Sequence, residues 1–286
     1  MNKALLSAKA KDRLFKAFAI LCTCAALSTL LLLIMDILIK GVSRVNWSFF
    51  SSLPSRFPEQ SGIYTALAGM VSLLLFTLLI ALPIGILSGI YLQEYGKRNK
   101  LAKFIEINIS NLAGVPSVIY GILGLQLFVR TVGLGNSILS GSLTLALLIM
   151  PVIIVSTREA IKAVPDSMRE AAFGLGATKW QTIKKVVLPA SFGGILTGII
   201  LSVSRAIGET APLIVVGALA YVPFIPEGPL DQYTSLPIQI FNWTSRPQLG
   251  FIENAAAGII VLLVFTFLLN GIAITLRNRW YKKAKL

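Results

Sequence analysis

The sequence predicts an all-α integral membrane protein with six transmembrane helices. Three observations carry that prediction. The 286 residues are 55% hydrophobic and only 13% charged, whereas a soluble chain carries roughly 25% charged residues; mean hydropathy is +0.79. Six apolar runs reach the roughly 20 residues a helix needs to cross a hydrocarbon core about 30 Å thick. Lys and Arg are split unevenly between the segments that join those runs, as the orientation rule for membrane proteins requires.

The runs fall at 17–39, 64–92, 106–129, 137–157, 190–220 and 255–276. The first follows Lys9, Lys11, Arg13 and Lys16, like the start of a signal peptide. It is too long for a signal core and no small-residue cleavage site follows, so a retained helix is expected. Cys22 and Cys24 lie inside it. Two residues apart on a helix they face different ways, which argues against a mutual disulfide and for small apolar packing. The second and fifth runs exceed the span length and are expected to tilt or protrude. Pro83, Pro116, Pro151 and Pro212 fall within the runs and each removes a backbone hydrogen bond. The spacings Gly85–Gly89 and Gly194–Gly198 suit close helix contacts.

With the N-terminus in the cytoplasm, the inside segments hold 20 of the 26 Lys and Arg and the outside loops hold 5, with Arg205 in a helix. Both termini are therefore expected to be cytoplasmic. The same clustering beside apolar runs accounts for the net charge of +14 and argues against a nucleic-acid partner. The outer loops are rich in Pro and aromatics, among them Trp47, Phe49, Phe50, Tyr221, Tyr233 and Trp243. An interfacial aromatic belt or a docking surface for an external partner fits them.

No His is present, which removes the commonest general base and metal ligand. No G-x-x-x-x-G-K-[ST] phosphate loop occurs. The chain is expected to be non-catalytic and to bind neither metal nor cofactor.

Two stretches stand out. The first is 166–189, within a segment 158–189 that is far longer than the 2–8 residues a connector needs. Ser167 and Glu170 have capping-box spacing, and Ala171 and Ala172 continue a helix with a small Ala-Ala face. Gly174 and Gly176 permit a turn. Thr178 and Gln181 repeat the capping box, and a second helix runs past an exposed Trp180 to Leu188 and Pro189. Pro189 suits the first turn of the next membrane helix. An amphipathic surface helix or a knob for a cytoplasmic partner fits this pattern.

The second stretch is Arg205 to Pro212, RAIGETAP. In a straight run 190–220, Arg205 is 15 residues from either end, or about 22 Å, too deep to reach water easily. A charge at that depth costs about 2.5–3.5 kcal/mol. Glu209, four residues on, shares its face. A buried structural ion pair is one reading. An anion path is the other, with Arg205 offering a planar donor fork and Glu209 holding it or accepting a proton from a protonated oxyanion.

Glu170-Ala171-Ala172, Gly176, Val186 and Leu188-Pro189 resemble the EAA loop of ABC importer permeases, with Val in place of Ile. In that family the loop docks on a separate ATPase. RAIGETAP, the segment GVPSVIYG at 114–121, LPIQIFNW at 236–243 and LRNR at 276–279 are similar to the permeases of phosphate-specific transport systems, closer to permease A than to its paired permease C. The resemblance implies a type I ABC importer permease fold with a coupling loop between helices 4 and 5. It implies a second permease, two copies of an ATPase that bind the ATP and Mg, and an external phosphate-binding protein. Pro116, Ser117, Arg205, Glu209 and Thr210 become candidates for the substrate path, and Glu170, Ala171, Ala172, Gly176, Trp180, Leu188 and Pro189 for the ATPase contact. The expected division is an N-terminal region 1–60 with the first membrane helix and an external loop, a permease core 61–280 and a basic tail 281–286. Permeases for sulfate, molybdate or an organic solute, a gradient-driven transporter, and a membrane assembly protein remain as alternatives.

Overall fold

The computed structural model describes residues 3–96, 99–219 and 221–284, with side chains for 11–96, 99–219 and 221–279. Residues 285–286 of the basic tail, the side chains of the rest of that tail, the side chain of Lys9 and the last residue of the fifth apolar run lie outside that description. The helices are α1 (Lys3–Gly41), α2 (Trp47–Ser51), α3 (Tyr64–Ile90), α4 (Lys100–Leu112), α5 (Ser117–Gly124), α6 (Ile138–Lys162), α7 (Asp166–Gly174), α8 (Lys179–Thr182), α9 (Leu188–Gly208), α10 (Ala211–Val216), α11 (Leu236–Thr244) and α12 (Leu249–Ala284). Three π-helical turns extend them at Tyr91–Tyr95, Leu125–Thr131 and Ile183–Val187. Among the described residues there is no strand.

Among the described residues five helices are long and apolar enough to cross a membrane, and one bent pair passes the same test when its two helices are taken together. The straight third helix expected at 106–129 is instead α4 and α5, broken at 113–116 and bent by 108°. Pro116 causes the break: it disfavours helix in Val115 and, itself extended at φ −55° and ψ 137°, stands as the N-cap from which α5 starts at Ser117. The Tyr120 hydroxyl donates 2.8 Å to the Leu112 carbonyl, satisfying an acceptor at the broken end of α4.

The bundle is organised about α6. Gly85 and Gly89 let α3 approach one side of it: an added Cβ would stand 2.7 Å from Ile153 Cγ2 and 2.7 Å from Thr157 Cβ. Gly194 and Gly198 do the same for α9, at 2.7 Å from Ala160 Cβ and 2.0 Å from Ser156 Oγ. Both small-residue pairs thus serve one helix, where dispersion between close backbones is the main attraction available in lipid. Polar stitches add to it: Thr77 Oγ1 donates to Leu73 O at 2.7 Å, and Ser142 Oγ crosses from α6 to the same carbonyl at 3.1 Å.

α1 packs on α12 through Gly41, whose Cβ position is 2.6 Å from the Ala256 carbonyl carbon. The described side chains of α1 before Gly41 are otherwise exposed apart from half-buried Ile34 and Ile37; Cys22 and Cys24 are free thiols that point outward rather than packing inside the chain. At that end of the bundle Arg44 Nε donates to Asn254 Oδ1 at 2.8 Å, and both residues bond the Pro58 carbonyl. The aromatic belt expected there is only partial. Trp47 is 84% exposed, but Phe49, Tyr233 and Trp243 are buried, with Phe49 and Trp243 rings 5.9 Å apart. Tyr233 fits over Gly141, and burial holds its phenol above the ordinary value. The LPIQIFNW segment forms α11, whose Leu236–Gln239 turn and Trp243 are buried in this end's core while Phe241 faces outward.

Candidate functional site

The loop at the opposite end begins at α7. Pro165 precedes Asp166 and makes no side-chain cap. The expected box of Ser167 with Glu170 is absent because the helix starts one residue earlier; Asp166 instead meets Arg169 at 3.0 Å. The helix ends in a Schellman turn. Gly176 adopts φ +79°, its N–H donates to Phe173 O at 2.9 Å, and the Ala177 N–H reaches Ala172 O at 3.0 Å. Gly176 is thus the residue the turn demands, whereas Gly174 is simply the last helical residue.

The second capping box is present: Gln181 N–H donates to Thr178 Oγ1 at 3.3 Å, and Thr178 N–H to Gln181 Oε1 at 2.8 Å. The helix it starts does not stop at Pro189. Residues Lys179–Gly208 form one continuous rod, widened by the π turn Ile183–Val187 just before the proline. That wider turn shifts the hydrogen-bond register where the missing Pro189 N–H would otherwise break it. Ile183 and Val187 face Ile90, Ile161, Val164 and Ile195, which seat the rod on α3 and α6.

The expected Ala-Ala face is split, with Ala172 buried and Ala171 exposed. Glu170, Trp180 and Pro189 are exposed and Leu188 is half-buried. Sequence reasoning missed the apolar crest beside them: Leu175 is 90% exposed, with Met168 and Phe173 also outward. The cue was an apolar side chain between the two glycines of a turn. It also missed Arg169, which is buried and meets Glu94 at 3.0 Å.

The fifth apolar run is not a straight helix. α9 ends at Gly208, Glu209 is extended at φ −73° and ψ 124°, and Pro212 opens α10. Arg205 therefore sits in the last turn of a helix at a break rather than in mid-helix, where its charge also suits the helix C-terminus. It pairs with Glu209 Oε1 through Nε at 3.1 Å, with the Arg side chain 35% and the Glu side chain 15% exposed. Among the described residues its two terminal nitrogens make no hydrogen bond. Thr210 Oγ1 contacts the Gly208 carbonyl at 3.4 Å, and the space beside Gly208 is open.

The two broken helices meet. An added Cβ on Gly121 would lie 2.8 Å from Pro212 Cα, so α5 and α10 touch backbone to backbone. At the start of α5 Pro116 is exposed and Ser117 half-buried; among the described residues no hydrogen bond or ion pair joins them to Arg205 or Glu209. Ser204, beside Arg205, donates to Asn270 of α12 at 2.7 Å, a polar contact sequence reasoning did not single out.

A multi-pass helical bundle with two discontinuous helices packed together has the architecture of a membrane transport subunit. The chain belongs to the family of binding-protein-dependent transport system inner membrane components, which matches residues 81–280. It is thus a multi-pass inner-membrane component of an ABC importer. It is 31% identical to the probable ABC transporter permease protein YqgI of Bacillus subtilis (97% of this chain, 99% of that one). It is 36% identical to the phosphate transport system permease protein PstA of Mycobacterium leprae (83% and 80%) and 35% identical to that of Yersinia pestis (82% and 79%). Among solved structures, a bacterial ABC transporter that imports alginate superposes with a TM-score of 0.69 at 15% identity (97% and 99%). The MetNI methionine ABC transporter, inward facing, gives 0.59 at 17% (77% and 94%). These likenesses establish the type I ABC importer permease fold.

Proposed function

We propose that this chain is a non-catalytic permease subunit of an ATP-driven phosphate importer. It pairs with a second permease, and two copies of an ATPase, which bind the ATP and Mg, dock on the loop 166–189. An external binding protein delivers phosphate to the opposite end. The observation that carries the substrate is the Arg205–Glu209 pair at the α9–α10 break, in a chain whose relatives include phosphate permeases. The free terminal nitrogens of Arg205 form a fork matched to two oxyanion oxygens. Glu209 holds the guanidinium by Nε and can take a proton from monobasic phosphate, which sulfate lacks at neutral pH.

Several features support the ATPase contact. Leu175, Met168, Phe173 and Trp180 form an exposed apolar crest on a rigid helix–turn–helix, and Glu170 stands outward beside it. The start of α1 and the end of α12 belong to the same end as this loop: Gly41 packs at the other end, and Arg277, seven residues before the end of α12, already reaches Thr197 midway along α9 at 3.2 Å. With the charge asymmetry this supports a cytoplasmic loop and cytoplasmic termini.

Uptake of labelled phosphate, with sulfate in parallel, tests the reading in phosphate-starved cells that carry the wild type, a deletion of this chain, or Glu209→Gln. The deletion is expected to lose phosphate uptake selectively and Glu209→Gln to impair it. Loss of sulfate uptake instead overturns the substrate; no change in either overturns the oxyanion reading.

A further inference from the structure

We infer that the π turn Tyr91–Tyr95 is the grip by which motion of the 166–189 loop is passed to the inner end of α3, with Arg169 and Lys179 as positioning residues. The inference rests on the coupling role proposed for that loop and adds the element that receives the motion.

Arg169 on α7 is 7% exposed and uses all its donors. Nε and Nη2 donate to Glu94 Oε1 at 3.3 and 3.0 Å. Nη1 donates to Val164 O at 2.7 Å and to Asp166 Oδ1 at 3.0 Å, and Nη2 also to Ile161 O at 3.0 Å. One guanidinium therefore ties three elements: α7, the frayed end of α6, and the π turn after α3. A buried pair is tolerated when hydrogen bonds offset its desolvation, and here all five N–H donors of Arg169 are engaged, two of them on Glu94 Oε1.

The other arm of the loop is tied to the same turn. Lys179, the first residue of α8, places its Nζ 4.3 Å from the centre of the Tyr95 ring, and Tyr91 stacks on Tyr95 at 6.1 Å. Adjacent residues, Glu94 and Tyr95, thus hold α7 and α8 in turn. The π geometry matters because the extra residue in the turn rotates the following side chains relative to α-helix. It closes with Gly96 N–H on Tyr91 O at 3.0 Å. Glu94 is 8% exposed in its side chain, while the crest at Leu175 and Trp180 is left free of this network. A force applied at the crest meets α3 through directional bonds as well as through the apolar seat of Ile183 and Val187.

The test uses the whole complex, this chain with its partner permease and ATPase subunits, in proteoliposomes. Phosphate imported and ATP hydrolysed are measured together, and assembly is checked by size exclusion. Glu94→Gln keeps shape and acceptor but loses charge, and Arg169→Lys keeps charge but cannot reach Glu94 and both carbonyls. Both variants are expected to assemble and hydrolyse ATP while import per ATP falls about fivefold or more, with Glu94→Gln combined with Tyr95→Leu lower still. An unchanged ratio overturns the inference. So do import and hydrolysis falling in proportion, or loss of assembly in both variants, which make the pair purely structural. A wild-type complex that carries another oxyanion sinks the phosphate assignment, and the same ratio taken with that oxyanion still decides the grip.

Discussion

Two Arg–Glu pairs stand at opposite ends of one helical rod, and they are built differently. Arg169 and Glu94 have side chains only 9% and 8% exposed, and every donor of the guanidinium is engaged. Arg205 and Glu209 are four residues apart on one chain segment, 35% and 15% exposed, and joined by a single nitrogen. The first pair spans 75 residues of sequence and closes tertiary structure. The second closes nothing and leaves its fork open. A saturated guanidinium is a fastener, whereas an unsaturated one is free to bind, and burial alone does not tell them apart.

The comparison breaks most sharply at the saturated pair. Arg169→Met strands Glu94 and two carbonyls, and is expected to cost about 3–5 kcal/mol. Thermal unfolding of the detergent-solubilised complex checks this, and an unchanged midpoint would show that the pair adds nothing to stability. Gly69→Ala probes stability away from either pair. Its Cβ would stand 2.2 Å from the Thr234 carbonyl oxygen, backbone that cannot rotate aside. A loss of about 1–3 kcal/mol is expected in the same assay. At the open pair the pattern inverts: Arg205→Lys is expected to leave the midpoint within about 0.5 kcal/mol while phosphate uptake falls about tenfold. Normal uptake kinetics in that variant would count against recognition by two nitrogens. Gly176→Ala forces a Cβ into the left-handed region and is expected to cost about 1–2 kcal/mol locally, read as faster amide exchange across 171–178. The smallest effect on stability belongs to Leu175→Asp, which removes nothing from the interior. Its midpoint is expected to hold while pull-down of the ATPase weakens; full ATPase capture would move the contact elsewhere on the loop.

The membrane class, the six crossings and the loop were legible because apolar run length and basic-residue bias are local properties of sequence. So were Gly176 and the Thr178–Gln181 box, where one residue type meets one backbone demand. The broken helices were harder to see. Pro83 and Pro151 remain inside α3 and α6, while Pro116 and Pro212 open new helices. The residue type is the same, and a glycine two residues away does not separate the outcomes either, since Gly85 follows Pro83 as Gly114 precedes Pro116; packing such as Gly121 against Pro212 is tertiary and not written in the local sequence. Arg169 was hidden for a related reason. Its partner Glu94 lies in another crossing, and one sequence carries no signal that joins them. The capping box at Ser167 was a pattern match that Pro165 displaced by starting the helix earlier.

The uninterrupted rod from Lys179 to Gly208 has a mechanical corollary. Trp180 and Arg205 lie on it 25 residues apart, or about 38 Å along its axis. A stiff rod rocked by about 5° around its midpoint displaces both residues by about 1.6 Å in opposite directions. That stroke exceeds the slack in a hydrogen bond, so a small tilt at one membrane face is enough to make or break a contact near the other.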